Sequence, residues 1–466
     1  MAEEGTPAAP APSGRGLWIA IAVVIIVVVV VVAAIFAAPL LFPAPRPVIG
    51  TVIPVTGALE IFGPSGRAAI DLAASEINAA GGVLGQTLTI NHEDSATDSA
   101  TGVNAARKLV DVDGAQAMIG AYASAVSTPI NEGVTTPDKV VQISPASTSP
   151  AFTDFNADRP EADRFFFRTA PSDALQGVAG AQYAFNTMGY RDMAIFARAD
   201  PYGSGLAQVF QDTFEGLGGT TTIRVDYDIT ATVFNTELTS IFATNPDAIW
   251  WVAFPGEGEL ILQQWWANTA WRGPDWLWGE GTKSQTFIDD IIGQGIGIEG
   301  MQGTAPVTSL GALDNLATFD AAYAAFTTVE RQLFEPHGYD AVYLIALAMQ
   351  AGGSLDRQSI RDNLQAVSSP PGTVITPGEW SQALTQLAAG NDVNYDGASG
   401  FANFDDFGDV GSDYEIWEIN PADGQIRQVT RIPEADLSPP LQSPARISPA
   451  ASAIFLWAPQ LGARWD

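Results

Sequence analysis

Cysteine is absent from the 466-residue chain, and histidine occurs only twice. The absence of cysteine excludes disulfide bonds, thiol catalysis, cysteine-bound metal and a lipid-modified N-terminal cysteine. The two histidines, His92 and His337, lie in different segments, and neither has an obvious nucleophile beside it. A hydrolase triad therefore has little support.

Metal and nucleotide motifs are equally scarce. Residues 295–300 spell GxGxxG, but they follow a helical pattern, whereas a dinucleotide site needs a strand before the glycines. Residues 392–397 open like a calcium loop, yet Asn403 stands at the twelfth position in place of the bidentate Glu. We predict neither a cofactor nor a metal.

Basic residues are also few, with 21 Lys and Arg against 52 Asp and Glu, and the formal net charge is -31. Because such a charge repels phosphate backbones, nucleic acid is not expected as a partner. The acidic composition is compatible with a salty habitat and also with simple solubility needs, and the net charge alone does not distinguish these two explanations. Hydrophobic residues make up 47% of the chain, which is enough for a large core in two or three domains.

The first hydrophobic run is long enough to cross a membrane. Residues 1–16, rich in Ala, Pro and Gly, predict a disordered tail. Leu17 to Ala38 carries no charged side chain, and at about 1.5 Å per residue it spans roughly 30 Å of hydrocarbon. A cleaved signal peptide is the rival interpretation, although its apolar region usually runs about 7 to 15 residues. We predict a retained anchor at 17–42 in the lipid bilayer, with the folded body on the other side.

Strand-like and helix-like patterns alternate from Val48 onward. Val48 to Ile53 predicts a strand, Pro54 to Gly66 a loop, and Ala68 to Ala79 a helix with a hydrophobic stripe. A second strand at Leu88 to Asn91 starts the next repeat of this unit. The alternation predicts an α/β fold with a parallel sheet covered by helices on both faces.

Two of the predicted strands end in polar, uncharged loops. Val140 to Ile143 runs into SPASTS, and Ala117 to Ile119 leads to Ser124 near a helix N-terminus. Open α/β sheets bind ligands at the carboxyl ends of their strands, where hydroxyl and N–H donors suit a carboxylate. For either loop alone, ordinary turn and cap residues are the commoner explanation.

Longer segments carry a family resemblance. In order along the chain they include IGTVIPVTGALEIFG, ISPASTSPAFTD, RADPYGSGLAQVF, GYDAVYLIALAMQAGG and YDGASGFANFDDFGD. Over about residues 48–432 the chain resembles the branched-chain (leucine/isoleucine/valine) amino-acid-binding proteins of ABC transporters. The resemblance implies the two-lobed type I periplasmic-binding-protein fold, with two parallel-sheet lobes, three crossovers and no catalytic activity. The implied segments are lobe I at 48–169 plus 307–408, lobe II at 170–306 plus 409–432, and a Pro-rich tail at 433–466.

The same resemblance implies a ligand site between the lobes. Ser124 and Thr148 would offer hydroxyls, and Ala146 its backbone, to a carboxylate. Glu280 would accept an ammonium group, and Tyr202 would lie against the ligand. The other implied cleft positions are Phe62, Ala123, Ser147 and Phe254.

Two of these positions depart from the family pattern. Phe254 stands where the amino-acid binders carry a tyrosine, and Ser147 replaces a small apolar residue. Both departures keep an amide- or urea-type ligand open as an alternative.

The sequence thus predicts an extracytoplasmic solute-binding protein, held at the cell membrane by a single-pass N-terminal anchor. It would capture an amino acid with a branched, apolar or small side chain and hand it to ABC permease and ATPase subunits. The alternative is an amide- or urea-type binding or sensor protein without a transport role. An enzyme on a similar sheet is a third class, which turnover of the bound solute would reveal.

Overall fold

The computed structural model of the protein describes residues 45–437 together with Val23, Val24 and Val27. Apart from those three valines, the predicted tail at 1–16 and anchor at 17–42 lie outside the described residues, as does 438–466. Within the described part of the chain, no helix is both long and apolar enough to cross a bilayer. The anchor and both tails stay predictions.

The first part of the chain forms a five-stranded parallel sheet. Its strands are β1 (Val48–Ile53), β2 (Thr89–Asp94), β3 (Ala117–Gly120), β4 (Val141–Ser144) and β5 (Phe166–Arg168). They lie in the order β2-β1-β3-β4-β5. The connecting helices are α1 (Gly63–Ala79), α2 (Ser99–Arg107), α3 (Ser124–Ile130) and α4 (Ala151–Ala157). Every residue of β3 and β4 is buried, as expected for parallel strands with both faces covered.

The chain then leaves this sheet and repeats the strand-helix unit in a second one. Its first five strands are β6 (Asp192–Arg198), β7 (Thr220–Tyr227), β8 (Ala248–Val252), β9 (Asp275–Trp278) and β10 (Gln302–Val307). The helices are α5 (Asp173–Gln182), α6 (Pro201–Gly216), α7 (Asn235–Ala243), α8 (Pro255–Ala267) and α9 (Gln285–Gly293). Tryptophans of β8 and β9, among them Trp250 and Trp278, are fully buried and fill this half of the core.

After β10 the chain returns to the first sheet and covers it. The returning elements are α10 (Leu313–Phe326), α11 (Glu335–Gly352), α12 (Arg357–Ser368), β11 (Thr373–Ile375), α13 (Trp380–Ala388) and β12 (Val393–Tyr395). Helix α11 packs on α1, α12, β3 and β4, and it is buried from its first residue to Met349. It ends at Gly352 and is followed by Gly353, whose φ of 59° is the left-handed conformation that glycine adopts freely at a helix C-terminus.

Two final strands, β13 (Asp413–Ile419) and β14 (Ile426–Ile432), complete the second sheet. The sheet order is β14-β13-β10-β9-β8-β6-β7. Strand β13 runs antiparallel to both of its neighbours, so the second sheet is mixed and not purely parallel as expected. Strand β13 starts opposite the end of β10, where the chain re-enters this sheet, and the short hairpin to β14 then reverses the chain again.

Within residues 45–437 the chain passes between the two sheets three times. The first passage follows Arg168, the second follows Val307, and the third lies between Tyr395 and Asp413. Each sheet with its helices is called a lobe below, the first lobe containing β1 to β5 and the second β6 to β10. The exact residue limits of the lobes, as predicted from the sequence, stay a prediction.

Candidate ligand-binding cleft

A small cavity of about 20 Å³ lies between the two lobes. It is lined by Leu59, Phe62, Tyr122, Ser124, Ala146, Tyr202, Phe254, Glu280, Gly281 and Phe334. Its second-lobe residues follow the carboxyl ends of β6, β8 and β9, and most first-lobe residues follow β1, β3 and β4. This is the edge where open α/β sheets bind ligands.

Two stacked rings form the second-lobe wall. The rings of Tyr202 and Phe254 lie 5.2 Å apart and nearly parallel. The Arg198 guanidinium covers the Phe254 ring at 3.5 Å, and its Nε donates to Asp200 at 2.7 Å. Because Arg198 also pairs with Glu257, its charge is neutralised within the second lobe and does not reach the cavity.

Glu280 is the acidic group on the cavity wall. It starts a short 3-10 turn directly after β9 and is only 3% exposed. Gln176 Nε2 donates to its carboxylate at 2.6 Å. Burial raises the pKa of Glu280 to about 7, although hydrogen bonds from Tyr202 and Gln176 oppose that rise. A buried carboxylate of this kind is a ready acceptor for a cationic group.

Asp173, which the sequence did not single out, brings a second carboxyl group to the same place. It begins α5 and is fully buried. The Thr148 hydroxyl donates to its Oδ2 at 2.8 Å, while Oδ1 has no partner among the described residues. Burial and the nearby Glu280 charge hold the pKa of Asp173 well above its usual value. The crossover after β5 therefore brings a second carboxyl group, whose protonated form is favoured, next to Glu280.

The first-lobe wall offers neutral groups. Ser124 is the first residue of α3, and its Oγ accepts the Ser149 N–H at 3.3 Å. Ala146 lies in the loop after β4 and lines the cavity. No basic residue is found among the described residues of the cavity wall.

Three of the nine sequence-predicted residues do not line the cavity. The Ser147 hydroxyl lies 2.8 Å from Ser127 Oγ and 3.0 Å from the Tyr122 carbonyl, so it is used inside the first lobe. Ala123 is buried as the N-cap of α3, and the Thr148 hydroxyl donates to Asp173 instead of facing the cavity. The six that line it are Phe62, Ser124, Ala146, Tyr202, Phe254 and Glu280.

The lobes touch each other at the mouth of the cavity. The Ser149 hydroxyl donates to the Pro201 carbonyl at 2.7 Å, and the Gly256 N–H donates to the Ala58 carbonyl at 3.3 Å. A Cβ on Gly256 would lie 2.9 Å from the Ala58 Cα, which is closer than real Cβ contacts. The structure is thus a closed form. The close approach of the two lobes at Ala58 leaves no room for a side chain at Gly256.

Two α/β lobes, three crossovers and a small buried cavity at the strand ends define a clamp-type solute-binding protein. Residues 48–391 match the family described as periplasmic binding protein. The chain belongs to the periplasmic binding protein family. It is a solute-binding protein and not an enzyme.

Individual relatives agree with this membership. A Leu/Ile/Val-binding protein homolog 1 of Brucella suis is 26% identical over 328 residues, covering 67% of this chain and 80% of the relative. The chemotactic signal transduction system substrate-binding protein BasB of Halobacterium salinarum is 24% identical, covering 83% of this chain and 91% of BasB. The resemblance to the branched-chain amino-acid type is confirmed.

A solved structure shows the same fold. The branched-chain amino acid transporter substrate-binding protein LivJ of Streptococcus pneumoniae, in complex with isoleucine, superposes with a TM-score of 0.68. The match covers 84% of this chain and 99% of LivJ at 19% identity. The two-lobed type I architecture expected from the sequence is confirmed at the level of fold.

Proposed function

We propose that the protein captures an amino acid with a branched, apolar or small side chain in the interlobe cavity. The observation that carries the proposal is the buried Glu280 carboxylate on a cavity wall of aromatic rings. An ammonium group is the natural partner of a buried carboxylate, since an unpaired buried charge is costly. The cavity of this closed form measures about 20 Å³ and has room for roughly one water molecule, so a solute enters when the lobes part.

The two ends of the proposed ligand would contact different lobes. Ser124 and the backbone near Ala146 belong to the first lobe and face the carboxylate, while Glu280 belongs to the second lobe and faces the ammonium. A ligand that touches both lobes binds the closed form better than the open one, which is the condition for shifting a hinge equilibrium. Capture of the solute and closure of the lobes are then one event.

Relatives support an amino acid and a transport role. The Brucella suis relative is named for binding leucine, isoleucine and valine. LivJ is named for branched-chain amino-acid transport, and its structure is a complex with isoleucine. We therefore extend the proposal to delivery of the solute to ABC permease and ATPase subunits. The apolar run from Leu17 to Ala38 supports an anchor in the cell membrane with the body on its outer side.

One observation favours the alternative of an amide- or urea-type ligand. The raised pKa of both Glu280 and Asp173 favours their protonated forms, and a protonated carboxyl can donate to an amide carbonyl. A signalling role without transport is supported by BasB, which is named for chemotactic signal transduction.

Calorimetric titration of the full chain in detergent separates these functions. The panel holds leucine, isoleucine, valine and alanine beside their side-chain-matched amides without the amino group, such as isovaleramide, and urea. We expect saturable binding of the amino acids and none of the amides. Tighter binding of the amides would replace the amino-acid function with the alternative.

A further inference from the structure

A second cavity opens beside the ligand cavity, on the side of the crossovers. It has a volume of about 200 Å³ and is partly open to solvent, and we call it the hinge chamber. Its wall includes Lys283 from the second lobe, Val307 and Thr308 at the second crossover, and Arg331 and His337 from the first lobe. The chamber is thus built across the joint about which the lobes would move.

Only a thin wall separates the hinge chamber from the ligand cavity. Phe334 lines the ligand cavity, and its ring lies 5.3 Å from that of His337, which lines the chamber. On the second-lobe side, the Lys283 N–H donates to the Glu280 carbonyl at 2.8 Å. The Phe334 ring and the 3-10 turn that starts at Glu280 thus form part of the partition between the two spaces.

The chamber wall carries two basic side chains in a chain that has few of them. Lys283 and Arg331 are two of only 21 basic residues in a protein of net charge -31. Lys283 pairs with Glu415, and Arg331 Nε lies 2.9 Å from Asp320. Each pair occupies one donor of its base, so further N–H groups remain to face the chamber.

His337 adds a buried polar atom without a partner. The residue is 7% exposed, and its Nδ1 makes no hydrogen bond to any described residue. Burial and the nearby Arg331 charge lower the pKa of His337 to about 3, so the ring is neutral and can donate from one nitrogen. The backbone of His337 is fixed to the first crossover, because the Thr169 hydroxyl donates to its carbonyl at 2.9 Å.

We propose that the hinge chamber binds an anionic group, a carboxylate or a phosphate, between Lys283 and Arg331. The group is either the side-chain carboxylate of the captured solute, reaching past Phe334, or a free inorganic anion. The first source rests on the proposed amino-acid function and widens it to acidic amino acids, while the second does not depend on it. Since the two bases belong to different lobes, a bound anion holds the lobes together.

Calorimetry on the full chain tests both sources. In the first arm, glutamate is compared with glutamine, which has the same size without the charge. We expect glutamate to bind on the order of tenfold more tightly, as a charge-assisted contact provides. In the second arm, leucine is titrated with and without inorganic phosphate at matched ionic strength, and phosphate should tighten binding by a similar factor if the free anion is the occupant.

Variants locate the effect. Arg331→Gln and the double variant Lys283→Gln/Glu415→Gln, which leaves no buried charge unpaired, should remove the preference for the anion. Lys108→Gln, at an exposed base that lines neither cavity, should retain it. Glu280→Gln should weaken glutamate and glutamine alike, and its failure to do so would count against the amino-acid function and not against the chamber.

The proposal is overturned if neither glutamate nor phosphate has an advantage in the parent protein. It is overturned equally if the advantage survives in both chamber variants. Loss of the advantage in Lys108→Gln as well would mean that overall charge, and not the chamber, selects the anion.

Discussion

The substitution Glu280→Gln tests the ligand site at its most specific point. Gln keeps the size of the side chain and can still accept from Gln176, but it removes the negative charge. Truncating one partner of a buried charge pair costs about 2 to 5 kcal/mol of binding. At pH 8 the variant should therefore bind an amino acid at least about thirtyfold more weakly than the parent.

The pH dependence of the parent protein gives the same test an internal check. The ligand-free pKa of Glu280 is about 7, and a bound ammonium group must lower it because it favours the ionised form. Below pH 7 the carboxyl has to lose a proton before it accepts the ammonium, at a cost of about 1.4 kcal/mol per pH unit. Binding at pH 5 should be about a hundredfold weaker than at pH 8, with about one proton released per ligand. Asp173 titrates with Glu280, so the profile belongs to the pair.

The assay is titration calorimetry in buffers of different ionisation enthalpy, which reports affinity and proton release together. Glu299→Gln serves as the control, since Glu299 is exposed in the loop before β10. The variant Glu280→Gln should lose the pH dependence along with the affinity. Equal affinity of parent and Glu280→Gln at pH 8, or a flat profile in the parent, would refute an ammonium role for this carboxylate.

Four further predictions concern the first-lobe wall, closure, stability and the anchor. Ser124→Ala should weaken amino-acid binding by about 1 to 3 kcal/mol in calorimetry, because a neutral donor is lost and the Ser149 N–H loses its acceptor; unchanged affinity would remove Ser124 from the site. Gly256→Ala should weaken binding by about 1 to 3 kcal/mol through the 2.9 Å approach to Ala58, without changing the thermal unfolding of the ligand-free protein; full affinity would mean that the bound form lacks this contact. The raised pKa of Glu280 means that the folded protein keeps the Glu280 proton to a higher pH than the unfolded chain does. The free energy of unfolding of the ligand-free protein should therefore fall by up to about 3 kcal/mol between pH 4.5 and 7. An equal fall in Glu280→Gln, measured from unfolding midpoints, would contradict this. The mature protein should stay in the membrane fraction after a high-salt wash and keep Leu17, whereas an N-terminal sequence starting after Ala38 would show a cleaved signal peptide.

The sequence determined the strands more closely than the loops between them. Val48–Ile53 was predicted with the bounds that the structure has, because a buried parallel strand is a short apolar run. Helix α1, in contrast, begins at Gly63, inside the segment 54–66 that was predicted as a loop. Gly and Pro usually mark a loop, but Pro64 occupies the first turn of the helix, where its missing N–H costs nothing.

The site was predictable where it lies on strand ends and unpredictable where it depends on the crossovers. Glu280 and Tyr202 lie just beyond the carboxyl ends of β9 and β6, and the family resemblance predicted both as cleft residues. Phe334 lines the cavity from the N-cap of α11, and Asp173 lies behind the cavity wall on a crossover, where Thr148 donates to it; no local pattern signals either role. Ser147 lies in the matching loop, yet its hydroxyl turns inward, and that direction is set by backbone geometry that the sequence does not reveal.

The central claim is that the closed cleft holds a solute with an amino group. Its most direct test is to purify the full-length protein without added ligand, denature it, and identify the released small molecule by mass spectrometry. We expect one amino-acid species at close to one mole per mole of protein. The same species should be absent from a parallel preparation of Glu280→Gln. Release of an uncharged amide, or of a solute without any amine, would contradict it.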